Sequence, residues 1–170
     1  MTTSTQRRLR LALIDFVISA LAFLGLLGVA RMLSPIGDPW AATWAVGSLG
    51  ASMTLILACP DSPLAKPYPA LVGNTVSAVI GVGLYQLIGE QEPELAALLA
   101  VSVSLAVMRM LGALHPPGGA SAILAVVGGA TVHELGWFYP LYPIALGTCW
   151  LLALARARKS WVATWERRAT

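Results

Sequence analysis

A histidine followed by two prolines and two glycines is the most unusual chemical pattern in the chain. Residues 115–121 read His-Pro-Pro-Gly-Gly-Ala-Ser and lie between two apolar runs. Proline stops a helix from continuing through it, so a new helix is expected to begin near Gly118. The first turn of a helix carries free N–H groups and a partial positive charge, which together bind small anions. The predicted anion-binding groups are His115, the Ser121 hydroxyl and the backbone of Gly118, Gly119 and Ala120.

Arg109 is the charge most closely associated with this pattern. It precedes His115 in the chain and lies within an apolar run. An ionisable side chain in such a run is costly, so a functional role is its default interpretation. We expect Arg109 to supply a fixed positive charge, and His115 to donate a hydrogen bond and to couple binding to protonation. The alternatives are an arginine that snorkels to the membrane interface and a tight turn capped by His115.

The tripeptide Gly-Ala-Ser occurs twice, at residues 50–52 and 119–121. Each copy lies in the middle one of three apolar runs. Two halves of three runs each indicate an inverted repeat, which in transporters places the substrate near the membrane midplane. The alternative is that small residues simply let helices approach closely. If the repeat holds, the counterpart site is formed by Gly50, Ala51 and Ser52. Asn74, near the start of the third run, either binds the ligand or bonds a neighbouring helix.

Motifs of several other function classes do not occur in the sequence. There is neither a serine-centred nucleophile elbow nor a phosphate-binding loop. His115 and His133 are too far apart to indicate zinc. Cys59 and Cys149 have no metal or redox spacing and are expected to be free thiols. An intramembrane enzyme with His115 as its base has no visible nucleophile partner, so we expect neither an enzyme nor a cofactor.

The composition indicates an integral membrane protein. Of 170 residues, 57% are hydrophobic and 11% are charged. A soluble domain carries about 25% charged residues, so this chain cannot make a polar surface, and its apolar content excludes disorder. The basic residues concentrate at the two ends, beside apolar runs, which argues against nucleic acid as a partner and favours the lipid bilayer.

The hydropathy pattern predicts a single all-α domain, a polytopic transmembrane helix bundle with about six segments, some short or broken. The predicted segments are 11–31, 40–58, 70–89, 95–113, 118–132 and 137–155, followed by a basic interfacial tail at 156–170. Basic residues favour the cytoplasmic side, so both termini are expected there and the number of crossings is expected to be even. Six crossings fit the loop charges, and four crossings with re-entrant segments are the alternative.

So short a chain leaves little room for an enclosed pathway. A homo-oligomer, a dimer or larger, is therefore expected. The glycine-rich faces of the second and third runs are the candidate contacts, because small residues allow helices to pack closely in membranes.

Several stretches of the chain resemble one family. Residues 50–52, 59–67, 73–82 and 108–120, the last containing His-Pro-Pro-Gly-Gly-Ala, are similar to the HPP family of membrane proteins. Members of that family in plant chloroplasts and cyanobacteria are implicated in nitrite transport. The chain departs from the family pattern at Asn74, where many members carry His.

The resemblance implies a transporter or channel for a small inorganic anion, with nitrite as the expected substrate. Nitrate and formate are alternative substrates, and a non-transporting membrane scaffold is the alternative function. No transit peptide precedes the first run, which favours a multi-pass protein of a bacterial inner membrane.

Overall fold

The computed structural model describes residues 3–33 and 46–169, and the residues described form helices and turns without any strand. Its seven α-helices are α1 (Thr3–Leu33), α2 (Gly47–Ala58), α3 (Pro67–Leu84), α4 (Pro93–Met110), α5 (Pro117–Val127), α6 (Ala130–Leu135) and α7 (Leu146–Ala169). Short 3₁₀ or π turns lie at Pro63–Ala65, Tyr85–Gly89, Gly136–Phe138 and Pro140–Ala145. The predicted all-α membrane bundle is confirmed.

Four helical stretches are long and apolar enough to cross a membrane, namely Thr5–Gly28, Pro67–Gly89, Pro93–Met110 and Pro140–Trp165. Pro117–Val127 and Ala130–Phe138 are together apolar enough for a fifth span, but they meet at a bend of 97°. The pair therefore forms either a broken span or a re-entrant loop. The predicted segment 118–132 is thus broken, because Gly129 takes a positive φ of 77° that stops the helix. Helix α2 has 12 residues and is only about 18 Å long, short of a bilayer core of about 30 Å. The start of its predicted segment, 40–45, lies outside the described residues.

Helices α1 and α7 pack side by side in opposite directions. Asp15 of α1 forms an ion pair with Arg158 of α7. Further along, the Trp150 indole N–H donates to the Ala22 carbonyl across 3.4 Å. The start of α1 and the end of α7 therefore lie at one end of the bundle, which we call the termini end. This arrangement agrees with an even number of crossings.

The basic tail continues the last helix. The sequence suggested a separate interfacial helix at 156–170, whereas α7 runs unbroken from Leu146 to Ala169. Neither glycine nor proline follows Gly147, so nothing in the sequence ends the helix there. The first helix likewise begins at Thr3, before the predicted start at residue 11, because arginine and glutamine are good helix formers. Hydropathy marks the apolar part of each helix and misses its polar ends.

Helix α3 is the central helix, and its small residues let α5 approach closely. A Cβ at Gly73 would lie 2.6 Å from the Ala113 carbonyl oxygen, and one at Gly118 would lie 2.8 Å from the Gly73 carbonyl oxygen. Two turns further along α3, Gly81 meets Ala125 in the same way. The glycine face of the third run was expected to join copies of the chain. In the structure it packs α3 against α5 inside one protomer.

Replacing Gly81 by alanine is expected to destabilise the bundle. The added Cβ would lie 2.7 Å from the Ala125 Cβ and would overlap the Ala122 carbonyl oxygen. Overpacking of this kind costs about 1–3 kcal/mol. The measurement is the thermal unfolding temperature of the purified protein, with Gly83→Ala as the control, because a Cβ there lies 3.6 Å from the Trp137 ring. Equal unfolding temperatures for the two variants would contradict this packing.

Candidate functional site

His115 is buried because the chain turns inward between α4 and α5. Helix α4 ends at Met110, and Gly112 adopts a positive φ of 62°. The Ala113 N–H then donates to the Met108 carbonyl across 2.8 Å, which folds the connection back over the helix end. The prolines that follow prevent α4 from continuing. As a result the His115 side chain is 0% exposed.

Both ring nitrogens of His115 have hydrogen-bond partners. Nδ1 lies 2.8 Å from the Leu64 carbonyl oxygen, and Nε2 lies 3.0 Å from the Ser52 hydroxyl. A carbonyl only accepts, so Nδ1 carries the hydrogen and the unprotonated Nε2 accepts from Ser52. His115 lies in the connection between two membrane segments, and burial there lowers its pKa, which favours this neutral form.

A short turn presents the Leu64 carbonyl to His115. The Ser62 hydroxyl accepts a hydrogen bond of 3.2 Å from the Leu64 N–H and caps the 3₁₀ turn Pro63–Ala65. Serine is among the side chains that cap a helical turn best, which explains its position here.

The side-chain amide of Asn74 joins several helices at the centre of the bundle. Its Nδ2 donates to Ser52 Oγ across 2.8 Å and to Thr148 Oγ1 across 3.2 Å. Its Oδ1 accepts from the Ser121 hydroxyl at 3.3 Å, and Ser121 Oγ also lies 2.9 Å from Ser48 Oγ. With His115 these five residues form one hydrogen-bonded group, which we call the polar cluster, and each member is 0–1% exposed.

The two Gly-Ala-Ser copies meet at this amide. Ser52 ends the first copy and accepts from Asn74, while Ser121 ends the second copy and donates to the other end of the same amide. Helices α2 and α5, which carry the copies, run in opposite directions, because Ser52 lies beside His115 whereas Ser48 lies beside Ser121. An inverted repeat predicts this arrangement.

The first turn of α5 differs from an open anion cradle. The Gly118 N–H donates to the His115 carbonyl at 2.8 Å, and the Gly119 N–H donates to the Pro116 carbonyl at 3.0 Å. Gly118 is also packed so tightly that a Cβ would lie 2.9 Å from Ser77 Oγ. That buried hydroxyl has no hydrogen-bond partner among the described residues. It is therefore a free polar group beside the start of α5.

The remaining residues of the predicted site lie outside the polar cluster. Gly119, Ala120 and Gly50 are half-buried, and Ala51 is exposed. The two repeats thus contribute their serines to the cluster, and their small residues serve the packing of α2 and α5.

Arg109 lies on the exposed side of α4, in its last turn. The preceding residue, Met108, takes the buried position and is 2% exposed. The Tyr68 hydroxyl at the start of α3 donates to the Leu111 carbonyl across 3.1 Å, and the adjacent Pro67 lines one cavity with Arg158 of α7. This end of α4 therefore lies at the termini end. The position expected from sequence, beside His115 as a fixed charge, is therefore not the one that the structure gives.

Sequence reasoning missed two members of the cluster. Ser48 precedes Ser52 by one helical turn, so the two hydroxyls share a face of α2. Thr148 follows a glycine in the last segment, as Asn74 follows one in the third. Both features can be read from the sequence. The pair of a glycine and a polar residue occurs once in each half, as Gly73-Asn74 and Gly147-Thr148.

Comparisons with known proteins extend the resemblance to nearly the whole chain. The chain matches the transmembrane region of the HPP family over residues 4–168. It is 32% identical over 136 residues to one transmembrane protein of Dictyostelium discoideum, covering 79% of this chain and 43% of the relative. It is 36% identical over 112 residues to another from the same organism, covering 65% of this chain and 39% of the relative.

The chain thus spans less than half the length of these two relatives. No solved structure matches it. The family match nevertheless reaches every helix from α1 to α7 and includes all six members of the polar cluster. The chain belongs to the HPP family of transmembrane proteins.

Proposed function

We propose that this protein transports a small inorganic anion, nitrite, and that the anion passes through the polar cluster. The observation that carries the proposal is the complete burial of six uncharged polar side chains in one hydrogen-bonded group inside a membrane bundle. Polar side chains within membrane segments are expensive and mark substrate pathways. Hydroxyl, amide and imidazole groups are also the donors that a small anion needs once it has left water.

Hydrogen bonds that only hold membrane helices together are the alternative interpretation. Such bonds contribute on average about 0.6 kcal/mol each. Tight packing of α3 on α5 already joins these helices through Gly73, Gly81 and Gly118. A role confined to adhesion also leaves the unpartnered Ser77 hydroxyl without an explanation, whereas a passing ligand would accept its hydrogen bond.

A buried anion needs a compensating charge, and His115 is the titratable member of the cluster. Arg109 lies on the exposed side of α4 and does not contact the cluster. Protonation at Nε2 would turn His115 from an acceptor into a charged donor and release the Ser52 hydroxyl toward the anion. We therefore propose that the anion and a proton move together.

The described conformation is closed around the cluster. Every member is 0–1% exposed, so water reaches the site only after helices separate. Helices α2 and α3 carry Ser52 and Asn74 from one half, and α5 and α7 carry Ser121 and Thr148 from the other. Relative movement of two inverted halves about a fixed site is the usual basis of alternating access.

Removing the Ser52 hydroxyl is expected to reduce nitrite flux about tenfold or more. Ser52→Ala removes the group that links His115 to Asn74, and a loss of about 1.4 kcal/mol is tenfold. The measurement is nitrite entry into liposomes that contain the purified protein, with an entrapped pH indicator to record proton uptake.

Ser102→Ala is the matched control, because that exposed hydroxyl lies outside the polar cluster and donates to the Leu98 carbonyl of its own helix. Protein-free liposomes correct for diffusion of nitrous acid, and nitrate and formate serve as competitors. Equal flux through both variants would contradict the proposed site. A complete lack of flux of all three anions through folded protein would favour the scaffold function.

Arg109→Ala is expected to lower the flux by less than Ser52→Ala does. The guanidinium is exposed at the termini end, so it contributes by attracting anions to the surface. Because exposed charges are screened, the effect of Arg109→Ala should disappear at high ionic strength. Flux abolished by Arg109→Ala at every salt concentration would place the anion at Arg109 instead of in the polar cluster.

A second candidate function is hydrolysis, because His115 does have a hydroxyl partner. The Ser52 hydroxyl donates to Nε2 of His115, and the Leu64 carbonyl orients the ring through Nδ1. Ser52, His115 and the Leu64 carbonyl thus have the arrangement of a nucleophile, its base and the group that orients the base. Covalent labelling by a fluorophosphonate, read by mass spectrometry, distinguishes the two functions. The transport proposal predicts an unlabelled Ser52, since Asn74 also donates to its Oγ. Labelling that is lost in His115→Gln would support the hydrolase.

A further inference from the structure

A basic cavity lies at the termini end, apart from the polar cluster. It has a volume of about 460 Å³ and lies between the end of α2, the loop that follows it and α7. Ile56, Leu57 and Leu152 form an apolar part of its wall. The basic side chains that line it are Lys66, Arg156, Arg158 and Lys159.

The positive charge of this cavity is only partly neutralised. Arg158 is paired with Asp15, and Lys66 Nζ donates to a backbone carbonyl across 3.3 Å. Asp61 is the acidic residue of the lining. Within residues 3–33 and 46–169, Arg156 and Lys159 contact no carboxylate. Two cations therefore remain available to an anionic ligand.

The mixture of cations and apolar wall indicates the class of ligand. A phosphate group is recognised by arginine and lysine together, and basic pockets at the ends of membrane helices bind anionic lipid headgroups. A free inorganic anion has no apolar surface to bury against Ile56, Leu57 and Leu152, whereas an acyl chain gains free energy by packing on them. The volume also falls within the range of about 300–1,000 Å³ that is usual for ligand sites.

We propose that this cavity binds the phosphate of an anionic phospholipid between Arg156 and Lys159, with an acyl chain on the apolar wall. The site is separate from the polar cluster and does not depend on anion transport. The bound lipid would bridge the loop after α2 and the last helix. It would thereby hold the loop whose Leu64 carbonyl bonds His115 against the helix that carries Thr148.

The test is native mass spectrometry of the full chain with phosphatidylglycerol, with phosphatidylcholine or with inorganic phosphate. The variant is Arg156→Gln/Lys159→Gln. The matched control is Arg8→Gln/Arg31→Gln, which also removes two charges from exposed positions but lies outside the cavity. Thermal unfolding of each protein in detergent shows that the variants remain folded.

We expect phosphatidylglycerol to bind in preference to phosphatidylcholine and to lose about 30-fold in affinity in the cavity variant, at about fivefold per charge. The control should bind like the unmodified chain. Equal phosphatidylglycerol binding by the variant and the control would overturn the proposal. Binding of inorganic phosphate that the variant loses, without any preference for the anionic lipid, would overturn the assignment to a lipid.

Discussion

Asn74 places a side-chain amide at the centre of the bundle, where it joins the other members of the polar cluster. Its two N–H groups and its carbonyl oxygen reach α2, α5 and α7 through Ser52, Ser121 and Thr148. Each buried polar group that loses its partner costs about 1–3 kcal/mol. The positions of these helices are therefore coupled through one amide, and any movement that opens the cluster must supply new partners for it.

An entering anion with its proton would supply such partners. In the closed state the donors of the cluster are directed at one another, and His115 accepts at Nε2. An acceptor placed among them replaces bonds between helices by bonds to itself, so binding and separation of the helices become linked. If the polar cluster only held helices together, no ligand would bind to it and stabilise the conformation in which the helices have separated.

Close packing makes the cluster possible. Gly73 and Gly118 bring the backbones of α3 and α5 so near that no side chain fits between them. Short side chains such as serine then reach across to a neighbouring helix. The same glycines pack α3 against α5 within one protomer.

Much of this arrangement was predictable from the sequence. The runs of apolar residues indicate the helices, and the repeated Gly-Ala-Ser together with the histidine motif points to Ser52, Ser121 and His115. The sequence left two roles for Asn74, ligand binding and a hydrogen bond to a neighbouring helix. In the closed state Asn74 bonds to neighbouring helices.

What could not be predicted depends on rotation about helix axes. Arg109 and Met108 are adjacent in sequence, and only the packing of α4 decides that the methionine faces inward. The continuity of α7 was not predictable for a different reason. Hydropathy identifies the segment that is apolar enough to lie in lipid, but it does not identify the residue at which the helix ends. Single hydroxyl side chains such as those of Ser48 and Thr148 are common in apolar runs. Their place in the polar cluster becomes visible only from their hydrogen bonds to Asn74 and Ser121.

If nitrite passes through the polar cluster, a water-soluble reagent should reach the start of α5, and nitrite should block that reagent. Ser77→Cys places a thiol beside Gly118, in a background where the exposed Cys59 and Cys149 are replaced by serine. In liposomes, we expect slow modification of this thiol by a small methanethiosulfonate, slowed further by nitrite and unaffected by gluconate. A thiol that is never modified in protein that transports nitrite, or one modified at the same rate with and without nitrite, would contradict passage through the polar cluster.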